Sequence, residues 1–315
     1  MNIGKKSSEN QRRRLQEVGN FIIPGQKTLG RTVLGNRAEH PPELDTASRH
    51  NMDSSCKKMY GVNELDAKTK YTQYFSPYTP YAIIKESTIN PMQVIYKAFS
   101  TGMVTGRTVI DFCKSPIITH LLAMKDFVHE IKSLHMCNAG VKEIEKWKNK
   151  DQDAFNWSHA VGILKELKGN RDKSKDEEED LRGKLKEILE LDFNKGIDSL
   201  CLPKADIVTS IWFLDAISKN HDEYRGNLRQ LSNLIKCGGY VLIYACINCS
   251  YFKVGDIKYH VLSSDESFFR KVISEGGFDI KHFQKLDRLI TCDSLDHDGM
   301  VFIIAQKVKE PQEAS

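Results

Sequence analysis

Thr108-Val-Ile-Asp-Phe-Cys-Lys-Ser-Pro116 reads as a buried strand that ends in an acid and turns tightly into a helix. In an α/β sheet a nucleotide-type cofactor docks at such a turn. The turn is usually rich in glycine, because the backbone must approach the ligand closely and adopt positive φ. Here Cys113, Lys114 and Ser115 occupy those positions, and none is glycine.

Outward from this stretch, strands and helices alternate. The pattern predicts strands over 107–112, 129–134, 205–211, 240–246, 278–283 and 300–305, with a further short strand ending at 191–193. It predicts helices over 92–99, 117–124, 141–148, 157–167, 181–189, 222–235 and 264–275. Cys237-Gly238-Gly239 and Gly276-Gly277 are expected to stop the last two of these helices. The charge run over 171–180 reads as an exposed loop or the solvated start of the helix that follows. Strands separated by helices imply right-handed βαβ units in a mostly parallel sheet. The final two strands, joined by 284–299 without a helical pattern, imply an antiparallel hairpin at the sheet edge. The expected class is therefore α/β, a Rossmann-like seven-stranded mostly parallel sheet with an antiparallel C-terminal hairpin and helices on both faces.

Composition sets outer bounds. The chain has 315 residues, 40% hydrophobic and 28% charged, with a net charge of +4. These are globular values, and the charge argues little for nucleic acid. No apolar run reaches membrane-spanning length, and the N-terminal residues lack an apolar signal core. The eight cysteines are scattered, which suits free thiols in a reducing cytoplasm. Cys246 and Cys249 have redox or metal spacing without a second pair or nearby histidine, so an incidental thiol pair is expected and no metal. Residues 1–65, with Arg12-Arg13-Arg14 and little apolar periodicity, read as a disordered basic leader ahead of a domain over 66–310. Tyr71, Tyr74, Phe75, Tyr78 and Tyr81 crowd the start of that domain, either as a ligand lid or, more simply, as cover for the sheet.

Several local stretches occur in a characteristic order. They are Val109-Ile-Asp111, Glu143-Ile-Glu-Lys-Trp147, Asp153-Ala-Phe-Asn-Trp-Ser158, Leu191-Asp192, Ala205-Asp206, Leu214-Asp215-Ala216 and Cys237-Gly-Gly-Tyr240. Together they resemble the small-molecule N-methyltransferase family of nicotinamide, indolethylamine and phenylethanolamine N-methyltransferases, nearest the nicotinamide type, from about Lys70 to Val308. The resemblance implies S-adenosyl-L-methionine as cofactor and a small amine or pyridine as acceptor. It implies transfer driven by proximity and orientation rather than acid–base chemistry. It also implies a monomer with no membrane or nucleic-acid partner.

Carried over position by position, the resemblance assigns cofactor contacts to Asp111, Cys113, Ser115, Thr119, His135, Asp192, Phe193 and Ile211, and substrate contacts to Ala245 and Tyr251. Many of these depart from the family pattern. His135 stands where an aspartate takes the ribose hydroxyls, and a neutral imidazole offers one acceptor in place of a carboxylate's two oxygens. Thr119 replaces a tyrosine, Ile211 a threonine, and Ala245 an aspartate that holds the substrate amide. Asp192 and Phe193 match the pair flanking adenine, and Asp215 matches as a structural cap. Lys114 adds a cation beside a sulfonium, which is repulsive. Two functions stay open: a methyltransferase of altered specificity, or a non-catalytic binding or regulatory module on the same fold. A third, weaker one is a basic leader that binds an anionic partner.

Overall fold

The structure, a computed structural model, describes residues 66–169, 174–191, 195–197 and 201–310. The leader expected over 1–65, and Asp192 and Phe193, lie outside the described residues.

β1 (Thr108–Cys113) is the first part of the quoted stretch and lies inside the sheet, next to its central strand. It pairs in parallel with β2 (Glu130–His135) on one side and β4 (Ala205–Ile211) on the other. β3 (Leu185–Glu190) extends the sheet beyond β2, and β5 (Ile235–Ile247) extends it beyond β4. β6 (Tyr251–Val254) and β7 (Ile257–His260) form a separate two-stranded hairpin. β8 (Phe278–Asp287) and β9 (Gly299–Lys307) run antiparallel, with β9 inserted between β5 and β8. The order β3-β2-β1-β4-β5-β9-β8 gives seven strands with the expected antiparallel end. The chain leaves β1 in one direction and returns to β4 on its other side. The switch point therefore lies at the carboxyl ends of β1 and β4.

The longer helices are α1 (Asn90–Ser100), α2 (Thr119–Met124), α3 (Asn138–Asn149), α4 (Ser158–Leu167), α5 (Glu177–Lys184), α6 (His221–Asn233) and α7 (Glu266–Glu275). Asp176, Asn220 and Asp265 cap α5, α6 and α7 through side-chain oxygens that accept the backbone N–H of Glu179, Glu223 and Phe268. Each cap replaces a hydrogen bond that a helix start cannot make internally.

Three expectations need correction. The helix read over 181–189 ends at Lys184, and Leu-Lys-Glu-Ile-Leu-Glu over Leu185–Glu190 is the edge strand β3. Those residues favour a helix, but pairing with β2 overrides local preference. The charge run is not all solvated, because Glu177 is buried against Lys125. Cys237-Gly238-Gly239 does not stop a helix. The helix ends at Asn233, Ile235 already pairs with Ala205, and the glycines form a bulge within β5. The β6–β7 hairpin was not foreseen.

Gly277 does close α7 as expected. Its φ is +85°, and a Cβ there would lie 2.7 Å from the Lys309 carbonyl oxygen. Gly277→Ala should lower stability by about 1–3 kcal/mol, read as a reduced urea midpoint at unchanged slope.

Candidate functional site

Strand register sets Cys113 of β1 beside His135 of β2 and Ile211 of β4, so three of the expected cofactor residues share one level of the sheet. All three are buried. One step inside them is Asp111, fully buried at the middle of a polar cluster. Its Oδ1 accepts from Thr209 Oγ1 at 2.5 Å and meets His120 Nε2 at 2.8 Å, and its Oδ2 accepts from Ser133 Oγ at 3.0 Å. Burial pushes the Asp111 carboxyl up, but the charge and hydrogen bond of His120 and the bond from Thr209 outweigh it and hold it below the usual range. The strand-ending acid thus ties β1, β2, β4 and α2 together, and both its oxygens are spent.

His135 Nε2 lies 3.2 Å from Ser133 Oγ. Burial lowers this imidazole to about 4 against the pull of Asp111, so it is neutral at pH 7. Lys114 N–H donates to the Ile211 carbonyl at 3.2 Å, continuing the β1–β4 ladder one residue past Cys113. Ser115 and Thr119 are buried, and neither hydroxyl has a protein partner among the described residues.

Over this end lies the N-terminal segment. Tyr71, Tyr74 and Phe75 are buried, and Tyr71 OH donates to the Pro116 carbonyl. Tyr71, Phe155 and Trp157 pack as an aromatic cluster. The simpler reading of these aromatics, cover for the sheet, describes Tyr71, Tyr74 and Phe75, whereas Tyr78 points to solvent at 92% exposure. Glu86 anchors the segment: its Oε1 accepts from Leu289 N and Ile290 N, and its Oε2 meets His297 Nε2 at 2.6 Å.

Beneath the segment is a cavity of about 40 Å³ lined by Lys70, Phe75, Lys114, Ser115, Trp212 and Phe252, among others. A wider groove of about 520 Å³ lies between the segment and α3–α4, lined by Tyr71, Tyr78, Glu143, Asp153 and Phe155. None of the expected cofactor residues lines that groove.

The substrate positions also shift. Ala245 is buried within β5 opposite Val301. Tyr251 is on β6, its hydroxyl donating to the Asp293 carbonyl, and it is absent from the cavity wall, where Phe252 takes its place. Asp215 is not a cap. It is fully buried, burial raises its carboxyl, and Lys114 together with the nearby N–H groups of Cys246 and Ala216 pulls the other way without reaching hydrogen-bond geometry. Cys246 and Cys249 are buried free thiols, and among the described residues no cluster of three His, Cys, Asp or Glu could hold a metal. Sequence reasoning missed Lys70, Glu86, His120, Phe252 and His297. The available signal was polar residues at inward strand positions, Ser133 and Thr209, which require a buried partner such as Asp111.

The family model described as the NNMT/PNMT/TEMT family matches residues 58–308. The chain belongs to that family. Human nicotinamide N-methyltransferase is 28% identical over 251 residues, covering 79% of this chain and 94% of its own. Mouse indolethylamine N-methyltransferase is 28% identical over 250 residues, covering 78% and 93%. Human phenylethanolamine N-methyltransferase is 24% identical over 223 residues, covering 69% and 79%. Among solved structures, the Synechocystis magnesium protoporphyrin IX methyltransferase with bound SAM is similar at a TM-score of 0.50 and 11% identity, covering 78% of this chain and 92% of that one. That likeness shows the fold, a Rossmann-like methyltransferase sheet.

The family implies S-adenosylmethionine, with a sulfonium, a ribose diol and an adenine to hold. The described residues do not fit it. His135, expected at the ribose, is a buried neutral histidine, and both oxygens of Asp111 are already engaged. Two lysines, Lys70 and Lys114, line the cavity beside the cofactor turn, and their charge is repulsive to a sulfonium. The cavity is far below the roughly 300–1,000 Å³ of ordinary ligand sites.

Proposed function

We propose that this chain is a small-molecule N-methyltransferase-like protein in which methyl transfer is weakened or lost, and that it acts as a binding or regulatory module built on the family fold. The observation that carries this reading is His135, a buried neutral imidazole at the expected ribose position, beside an Asp111 whose two oxygens are engaged by His120, Ser133 and Thr209. A ligand's ribose and sulfonium would need groups that are engaged elsewhere or carry the wrong charge. Each lost hydrogen bond to a charged partner is worth about 1.5–3 kcal/mol, so two or three losses weaken binding by several orders of magnitude.

The positions Asp111, Cys113, Ser115, Thr119, His135 and Ile211 are read as the remnant cofactor wall, and Ala245 and Tyr251 as the remnant acceptor wall. Residual transfer, if measured, should use a small amine or pyridine, the acceptor class in the relatives' names. A reducing cytoplasm accords with the seven described free cysteines, and among the described residues no helix is long and apolar enough to cross a membrane.

Calorimetric titration with S-adenosylmethionine tests the reading. The parent should give no saturable heat at millimolar cofactor, and the triple change Cys113→Gly, Ser115→Gly and His135→Asp should create measurable binding. Saturable micromolar binding by the parent would restore the active-enzyme reading and overturn this one.

A further inference from the structure

The Cys246 and Cys249 thiols play no part in the site described above, and their spacing along the chain gives only two donors. The fold supplies a third. In the β5–β9 register Cys246 stands directly opposite Met300, so both side chains leave the same face of the sheet. Cys246 Sγ lies 3.5 Å from Met300 Sδ. β5 ends at Ile247, and Asn248 then takes a left-handed φ of +53°. That turn brings the Cys249 thiol back into contact with the Cys246 thiol. All three sulfur-bearing side chains are buried.

The turn is held from outside the sulfur group. Asn248 N–H donates to the Ser264 carbonyl at 2.9 Å, and Asn248 Nδ2 donates to Asp298 Oδ2 at 2.8 Å. Asp296 Oδ1 accepts from the N–H groups of Ser250 at 2.8 Å and Tyr251 at 3.2 Å. Buried cysteine and methionine often pack as plain hydrophobes. Here three sulfurs touch in a row, Cys249 to Cys246 to Met300, on a strand end and a turn whose backbone is fixed by other groups. Ligands preformed on fixed elements are what a metal site requires.

We propose that Cys246, Cys249 and Met300 form a binding site for one copper(I) ion, with two thiolates and a thioether as ligands. Soft thiolate and thioether sulfurs favour copper(I), which two or three such ligands satisfy. Structural zinc takes four ligands, and among the described residues no group of three His, Cys, Asp or Glu is available to it. A metal–thiolate bond of about 2.3 Å sets two sulfurs of a trigonal site about 4 Å apart, so the 3.5 Å contact must open by only about half an ångström. On binding, each thiol releases its proton to solvent and forms a copper–sulfur bond. Copper keeps its oxidation state, and the complex carries a single negative charge. Contact with Cys246 and burial hold the Cys249 thiol well above the ordinary range, with Asp296 adding to them and Lys114 opposing. The metal must displace that proton, so retention should strengthen as pH rises. The Lys114 ammonium, which favours the Cys249 thiolate, also offsets part of the charge of the bound complex. The site is independent of the cofactor reading, since none of its three ligands is an expected cofactor or substrate residue.

The test uses the full chain, reduced, metal-free and anaerobic, with copper(I) supplied as its coloured bicinchoninate complex. About one equivalent of copper should pass to the protein, with a copper–thiolate absorption appearing in the near ultraviolet. Cys246→Ala and Cys249→Ala should each abolish the transfer. Met300→Leu, which conserves volume, should weaken retention about 10–100-fold with little change in the urea midpoint. Cys201, Cys237 and Cys292 are exposed, and Cys201→Ser, Cys237→Ser and Cys292→Ser together should leave the transfer intact. Failure of the parent to take copper overturns the proposal. So does uptake that survives the double change Cys246→Ala with Cys249→Ala, that is lost with the exposed cysteines, or that zinc at equal concentration prevents.

Discussion

Between pH 6.5 and about 4, His135 should cost the folded chain roughly 3 kcal/mol of stability. The sign follows from where the proton prefers to be. In the unfolded chain this imidazole takes up a proton near pH 6.5, whereas in the folded chain burial delays uptake until about pH 4. Within that window the unfolded state binds more protons, so stability falls as pH falls, by about 1.4 kcal/mol per unit, and levels off below the folded value. Burial is the leading cause. The Asp111 charge opposes it and the His120 charge adds to it. His135→Gln keeps a partner for Ser133 and should flatten most of the slope when urea midpoints are followed across the window. His159, also lowered by burial, contributes in the same direction, so a smaller slope should persist in that variant. A slope unchanged by His135→Gln would refute the assignment.

The same residue shows what the sequence could and could not reveal. The seven-stranded, mostly parallel sheet and its antiparallel end follow from apolar runs separated by helices and from right-handed crossovers, and these were legible; the strand order was not. β3 was not, because Leu-Lys-Glu-Ile-Leu-Glu carries helical preference and only its partner strand makes it extended. The absence of turn glycines and the histidine at the ribose position were legible as departures from a pattern. What replaced them was not. Asp111 was read as facing a ligand, and its three side-chain partners come from positions 120, 133 and 209, far apart in the chain. Lys114 was legible as a cation at the cofactor turn, but its burial against Phe252 was not, and Lys70 carried no signal, since no local pattern distinguishes a buried ammonium from a solvated one. Tyr251 was placed at the acceptor by position, but the alternation of β6 turns Phe252 inward instead.

Lys125→Met should destabilise the fold by about 3–5 kcal/mol, the scale of breaking a buried ion pair from one side. The Lys125 side chain is wholly buried and meets Glu177 at 2.5 Å, Asp180 at 2.7 Å and Asp126 at 2.9 Å. Burial alone would lower its ammonium, but the bonds to Asp180, Glu177 and Asp126 prevail and hold it above the ordinary lysine range. Without it, Glu177 retains Lys168 at 2.8 Å, and Asp126 retains Lys168 and Lys175, so the carboxylates are underpaired rather than isolated. The double change Lys125→Met with Glu177→Leu should recover part of the loss, because it removes both buried charges together. Chemical denaturation of the parent and both variants decides the matter. A single variant within 1 kcal/mol of the parent would show, on the scale of a surface pair, that the cluster contributes little.

The segment over 71–89 is fastened at both ends, by Tyr71 to Pro116, by Tyr74 to Lys253 and Ser294, and by Glu86 to His297. It lies over the carboxyl ends of β1 and β4, so uncovering that end of the sheet means releasing those fastenings together. Access to the site and the stability of the segment are then one property, and loosening the Glu86–His297 contact would raise the first by lowering the second.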